Sequence, residues 1–334
     1  MNWKVVIGIG LALLAVSVAS LHYLPHKPLS YSGDLETDAD TFRTLQATYV
    51  PGELERIAHE HGALYAFDIL RAISATTTPT TVHDLRLHTM GHVIGNVLYE
   101  QQGLPGIVHC TPEFSYSCYH AVLSAEVLAR GETDIADILA ECKTIFDEEG
   151  SCEHGMGHGF VAISNYDIHE ALQKCEETFG IKEVNSCAMG AYMEFNMHTM
   201  AEPGGTNYRS LDENGMYYPC TEARDEITNE CYYFIPKWWF AQLGENNFKA
   251  VGELCDAITS EENKDWCYIR LGLTIRELPN TTVEEMVQLC LEMPSLYGQT
   301  RCMQKLNEQY WADSVCDVLP ENQRSACRAP VQSM

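Results

Sequence analysis

Basic residues are scarce in this chain. Only 21 Lys and Arg stand against 47 Asp and Glu in 334 residues, a formal net charge of -26 at pH 7. With a pI near 4.7, the chain is a poor partner for nucleic acid or an anionic membrane surface, both of which attract basic proteins. Several cofactor motifs are missing as well. No Cys-x-x-Cys-His occurs, which excludes covalent heme attachment of the c type. There is no EF-hand loop. Zinc proteases need Glu directly after the first His of a His-x-x-x-His pair, and here that place holds Thr89 or Gly155. Histidine itself stops at His198, so the remainder of the chain has none.

What is present begins with hydrophobicity. At 46% hydrophobic residues the chain can bury a sizeable core, and its length suits one large domain or two ordinary ones. Residues 5–21 form an apolar run behind a single cation, Lys4. The run predicts an export signal or a membrane anchor over residues 1–24, with an uncleaved anchor preferred and the bulk of the chain outside. Residues 25–50, with Pro25, Pro28, Gly33 and several Asp and Thr, read as a polar stalk.

Fourteen cysteines in an exported chain imply an oxidising compartment and a disulfide framework. Their spacings alternate between short, 8 to 12 residues, and long, usually 23 or 24 with 33 and 14 as exceptions. Aligned on the Cys that ends each short gap, a unit of about 35 residues emerges. Cys118, Cys152, Cys187, Cys231, Cys267 and Cys302 each open a helix-like run, and a second amphipathic run ends in the next Cys. His88 to Cys110 is the same unit without its opening Cys. The predicted fold class is therefore all-α: about seven disulfide-stapled helical hairpins, arranged as an α-solenoid or a closed α/α toroid. A helix from Pro51 to about Ser74 is expected to cap the array. The domain then runs over 51–334, with a metal-binding half (51–200), an irregular loop (201–219) and a His-free half (220–334).

Two pairings suit such hairpins. Bridges within each hairpin, such as 118 with 142, strand Cys110 and Cys327. Bridges across each junction, 110–118, 142–152, 175–187, 220–231, 255–267, 290–302 and 316–327, leave no Cys over. The second scheme also explains the first hairpin's missing Cys, because no earlier partner exists. It is the one adopted.

The chemistry-bearing phrase occurs twice, as His88-Thr-Met-Gly-His92 and His154-Gly-Met-Gly-His158, with Cys118-Tyr-His120 in register with Cys152-Glu-His154. Two His four residues apart lie on one helical face, about a turn apart. Counting the opening Cys as the first place, the third and seventh places hold His88/His92, His120/Ser124, His154/His158 and Met189/Met193. In later hairpins they hold Tyr233/Lys237, Ile269/Leu273 and Gln304/Glu308. Equivalent places stack side by side in a repeat array, so five imidazoles should converge on one region. Gly91, Gly95, Gly155, Gly157, Gly159 and Gly190 lie within these helices, where each costs about 1 kcal/mol relative to Ala, as expected if backbones approach closely. Met90 and Met156 lie about 200° round the helix from His88 and His154 and read as packing residues.

The predicted metal ligands are His88, His92, His120, His154, His158 and His198, with Tyr119, Tyr192 and Glu194 as catalytic or proton-transfer groups. His59, His61, His83, His109 and His169 share no repeated register and read as surface or supporting residues. Imidazole-rich sites suit Zn, Cu, Fe and Ni. The His pairs on helices resemble, in ligand arrangement and not in sequence, the dicopper sites of tyrosinases and hemocyanins, and copper is favoured over iron and zinc. The functional expectation is an extracytoplasmic copper- or iron-dependent oxidoreductase acting on a small molecule, with 201–219 as a cover. The other reading is a secreted scaffold or metal carrier, whose ion is structural or passed to a metal-exchange partner. Tyr232, Tyr233, Trp238, Trp239 and Trp311 could form its interface, though they read more simply as core.

Overall fold

A computed structural model describes residues 30–44, 50–75, 85–145, 150–200, 208–211, 213–244, 247–276, 278, 281–310 and 313–329. The apolar run of residues 1–24 lies outside the described residues, as do 201–207, His83 and Trp311. Among the described residues there is no strand, and no helix is long and apolar enough to cross a membrane. The chain is all-α, as the periodicity predicts.

Three helices open the domain: α1 (Leu35–Arg43), α2 (Val50–His61) and α3 (Ala63–Ala75). The hairpins follow. Their first helices are α4 (Leu85–Gln102), α5 (Ser117–Arg130), α7 (Ser151–Ile163), α9 (Asn185–Met197), α10 (Thr228–Leu243), α12 (Glu261–Arg276) and α14 (Leu296–Tyr310). Their second helices are α6 (Ile135–Ile145), α8 (Ile168–Phe179), α11 (Phe248–Asp256), α13 (Val283–Leu291) and the short α15 (Asp313–Asp317); α16 (Glu321–Arg328) closes the chain. Each first helix packs on the first helix of the next hairpin, α4 on α5, α5 on α7, α7 on α9, and so on to α14. This continuous row carries the third and seventh places of every unit.

Local sequence explains where the helices stop and start. Gly131 and Gly180 end α5 and α8 with φ of +73° and +76°, a conformation that would strain a residue bearing Cβ. Asp167 caps α8 by accepting the His169 and Glu170 backbone N–H groups at 3.0 and 3.2 Å. Thr282 and Glu285 form a reciprocal capping box at the start of α13.

All seven disulfides follow the junction scheme: 110–118, 142–152, 175–187, 220–231, 255–267, 290–302 and 316–327. No Cys is free. Seven disulfides place the domain in an oxidising, extracellular type of environment.

Two features differ from the sequence expectation. Part of the polar stalk is folded: α1 puts Ala39 and Phe42 into the core, and buried Asp38 accepts from Tyr65 Oη (2.6 Å) and from the Ser32 and Gly33 N–H groups. The expected single capping helix is two helices, broken at Gly62 with φ +98°. The polar composition of 25–50 hid a short packed helix that Phe42 anchors in the core.

The described part of the irregular loop is clamped down. Arg209 is buried, donates Nε to Asn196 Oδ1 (2.9 Å) and lies 3.5 Å over the Trp238 ring. Trp238 Nε1 in turn donates to the Arg209 carbonyl, and Trp239 Nε1 to that of Met216, both at 2.6 Å. Trp238 and Trp239 are fully buried core residues, and Met90 and Met156 are also core.

Candidate metal centre

Helices α4, α5 and α7 deliver the histidines. They can do so because glycine lets the row close up. A Cβ on Gly157 would run into the Cys187 carbonyl oxygen, and one on Gly190 into that of His154, so α7 and α9 touch backbone to backbone. On the other side, a Cβ on Gly95 would lie 2.6 Å from that of Ala121. The close approach expected from the glycines is present, and it brings side chains of three helices within ring contact.

Five imidazoles meet. Ring centroids lie 4.5 Å apart for His88 and His92, 5.1 Å for His154 and His158, 4.3 Å for His120 and His154, and 5.5 Å for His92 and His158. His88, His92, His120 and His158 are buried and His154 is half-buried. Two triads, His88/His92/His120 and His120/His154/His158, each offer nitrogens within 4.8 Å of one another and can hold a metal ion. The register argument from sequence concerned these five residues, and the structure brings them together.

Tautomers are set by groups outside the cluster. His88 Nδ1 lies 2.8 Å from the Phe114 carbonyl oxygen. A carbonyl only accepts, so Nδ1 carries the proton and the acceptor lone pair is on Nε2. His158 Nδ1 lies 3.2 Å from Glu194 Oε2, which frees its Nε2 in the same way. That Nε2 stands 3.2 Å from Nε2 of His154, close to the spacing of two ligands on a tetrahedral ion with metal–nitrogen bonds of about 2.0–2.1 Å. One imidazole in each triad is thus oriented by an acceptor behind it, the arrangement that metal-bound histidines use.

Glu194 on α9 is fully buried and accepts from four donors. Besides His158 these are Tyr166 Oη (2.7 Å), Thr199 Oγ1 (2.7 Å) and the Met200 N–H (3.0 and 3.1 Å). Burial pushes its pKa up, but the hydrogen bonds from His158, Thr199 and Tyr166 outweigh that and leave the carboxyl below its usual range. Burial, then the neighbouring imidazoles, hold His92, His120 and His154 well below the ordinary histidine value. These rings stay neutral at pH 7 and are ready to ligate. Neither ring nitrogen of His92, nor Nδ1 of His120, has a hydrogen-bond partner among the described residues. The Thr199 carbonyl acts on His92 weakly, at a geometry short of a hydrogen bond.

Backbone strain surrounds the same place. Six non-glycine residues among the described ones have left-handed φ: Phe114, Ser115, Tyr116, Asn165, Tyr166 and His198. Each such residue costs on the order of 1–3 kcal/mol. Phe114 holds His88, and Tyr166 holds Glu194. His198 caps α9 and sets its ring 4.4 Å from that of Tyr166. The fold spends strain where it aims groups at the histidines and their carboxylate.

The other predicted site residues lie elsewhere. His198 sits behind Tyr166 and belongs to neither triad. Tyr119 is committed to the junction, its hydroxyl donating to the Cys110 carbonyl (2.8 Å). Tyr192 is buried with Glu230 and Arg224 as its electrostatic neighbours. Met193 is core, and Met189 packs against the core. His59, His61, His109 and His169 are exposed. Sequence reasoning missed Phe114, Tyr166, Thr199 and Met200, because each acts through a carbonyl, a hydroxyl or an N–H placed by irregular backbone.

No family model, curated protein or solved structure matches this chain.

Proposed function

We propose that this is an extracytoplasmic metal-binding protein whose five-histidine centre carries out redox chemistry on a small molecule, with copper favoured over iron and zinc. The observation that carries the reading is the pair of locked tautomers. The Phe114 carbonyl and the Glu194 carboxylate each hold a ring proton on the far nitrogen and point Nε2 of His88 and His158 inward. A core histidine also needs an acceptor for its ring N–H, but here the opposite nitrogens converge on other imidazoles, as ligands do.

All cysteines are bridged, so the donors are imidazoles alone, a set that suits Cu(II) and Zn(II), with copper the tighter binder of the divalent series. Seven disulfides and a continuous core already hold the hairpins, so an ion is not required as a staple. That favours a reacting or transferable ion over a structural one. Half-buried His154 gives the centre a side from which a small molecule can approach. The strong negative charge draws cations toward the chain. Residues 1–24 would tether the domain to a membrane.

The second reading is a metal carrier, which the same half-buried His154 supports because it gives the ion an exit. Protein purified without added metal should contain copper by elemental analysis. His88→Ala combined with His154→Ala should lose it while far-UV circular dichroism stays unchanged. Reduction of bound Cu(II) by small organic donors, reoxidised in air with turnover, supports the enzyme. Release to an apo acceptor without turnover supports the carrier. Full metal content in the double variant overturns both.

A further inference from the structure

The five imidazoles form two overlapping triads that share His120, with His92 and His158 also meeting across them at 5.5 Å. His120 touches all four others, at 5.7 Å from His88, 5.9 Å from His92, 4.3 Å from His154 and 5.6 Å from His158. His88 and His92 make one end, and His154 and His158 the other. Both triads that can hold an ion include His120. Among the described residues no larger set of the five brings one nitrogen each within the same reach, so an ion in one triad leaves the other pair unserved. For His92, fully buried with both ring nitrogens lacking a partner, that would mean a lasting desolvation cost.

We infer that the centre is dinuclear, with one ion on His88, His92 and His120, a second on His120, His154 and His158, and His120 bridging them through both ring nitrogens. The inference rests on the metal-centre reading above and adds the number of ions and the role of His120. Three observations converge on it. His120 Nδ1 is buried without a hydrogen-bond partner among the described residues, and an ion bound to it would satisfy it. Each end has its own acceptor behind one ring, Phe114 for His88 and Glu194 for His158. The hairpin register supplies two pairs and one single imidazole, with the single one between the pairs in the row α4, α5, α7. When the second divalent ion binds, His120 gives up its remaining ring proton to solvent and becomes imidazolate. No electron moves, and the only bonds formed are metal–nitrogen bonds. The ions would sit roughly 6 Å apart, the ring plus a bond of about 2.0–2.1 Å on either side.

The test uses the full disulfide-bonded chain, stripped of metal and titrated with Cu(II) chloride. Native mass spectrometry counts bound ions, and low-temperature electron paramagnetic resonance counts spins. Two copper ions per chain are expected. The spin signal should rise over the first equivalent and fall over the second, as the two ions couple through His120. His92→Ala and His154→Ala should each keep one copper with an ordinary uncoupled signal, and any copper pair retained by His120→Ala should show full, additive spin. Saturation at one copper with a mononuclear signal overturns the inference and leaves the metal-centre reading standing. Two coppers with additive spin in the unaltered chain overturn the bridge. No copper binding at all overturns both. The decisive titration needs no variant, so a misfolded mutant cannot blunt it.

Discussion

Glu194→Gln is the most informative single substitution. The carboxylate accepts on both oxygens: Tyr166 and the Met200 N–H reach Oε1, while His158, Thr199 and the same N–H reach Oε2. Glutamine must set its NH2 on one side or the other. Facing Tyr166 and Met200, it leaves the Met200 N–H on its one remaining oxygen and obliges the tyrosine hydroxyl to rotate and accept, and the charge is still lost. Facing His158, it either breaks the ring's hydrogen bond or forces the other tautomer. That tautomer carries its proton on Nε2, the nitrogen aimed at the ion. Loss of such a supporting partner typically costs 10–100-fold in metal affinity, about 1.4–2.7 kcal/mol. Each donor left unsatisfied in this buried setting adds about 1–3 kcal/mol of lost stability. Competition with a chelator of known copper affinity measures the first effect, and denaturant unfolding of the metal-free protein measures the second. Copper affinity unchanged within a factor of about three, in a protein of native circular dichroism, would refute the reasoning, because it would mean that Glu194 does not orient His158 as a ligand.

Other outcomes follow from the same geometry. In metal-free protein, His92, His120 and His154 stay neutral when folded and protonate near 6.5 when unfolded. The unfolded state therefore binds more protons as pH falls below about 6.5, and stability drops by up to about 1.4 kcal/mol per pH unit for each ring. A melting temperature that stays flat from pH 7.5 to 5.5 with chelator present would contradict this. Gly190→Ala drives a methyl group into the His154 carbonyl, so α7 and α9 must separate. Overpacking of this kind costs about 1–3 kcal/mol, and copper affinity should fall along with the melting temperature. Replacing Cys142 and Cys152 together by Ser opens one junction, whose 10-residue separation predicts a loss of about 2–3 kcal/mol in denaturant unfolding. Tyr119→Phe and Tyr192→Phe should leave copper stoichiometry unchanged. A loss of copper in either would restore them to the site.

The repeat was legible because two periodicities reinforce each other: the cysteine spacing fixes the hairpins, and the third and seventh places fix a common face. Those two regularities were enough to choose the disulfide pairing and to name His88, His92, His120, His154 and His158 as neighbours. Glu194 was named from the sequence as a proton-transfer group, one place beyond Met193, but its hydrogen bond to His158 was not readable there. The residue of α9 that reaches His158 is thus one place off the strict register. Phe114 and Tyr166 could not be read at all. Their roles depend on left-handed turns in ordinary-looking residues, which carry no compositional signature. His198 lies beside Tyr166 and outside both triads, a placement that its position at the end of α9 does not reveal.

Because every bridge spans a junction and none spans a hairpin tip, the loops fall into two kinds with different fates under protease attack. A cut between Cys142 and Cys152, or between Cys175 and Cys187, leaves the pieces covalently joined, and the histidine-bearing helices stay tethered to one another. A cut at a tip, such as the turn between α5 and α6, severs the chain with no bridge around the wound. In the oxidising setting that the disulfides suit, damage at the junctions would show only on a reducing gel, and the five imidazoles would stay on tethered helices.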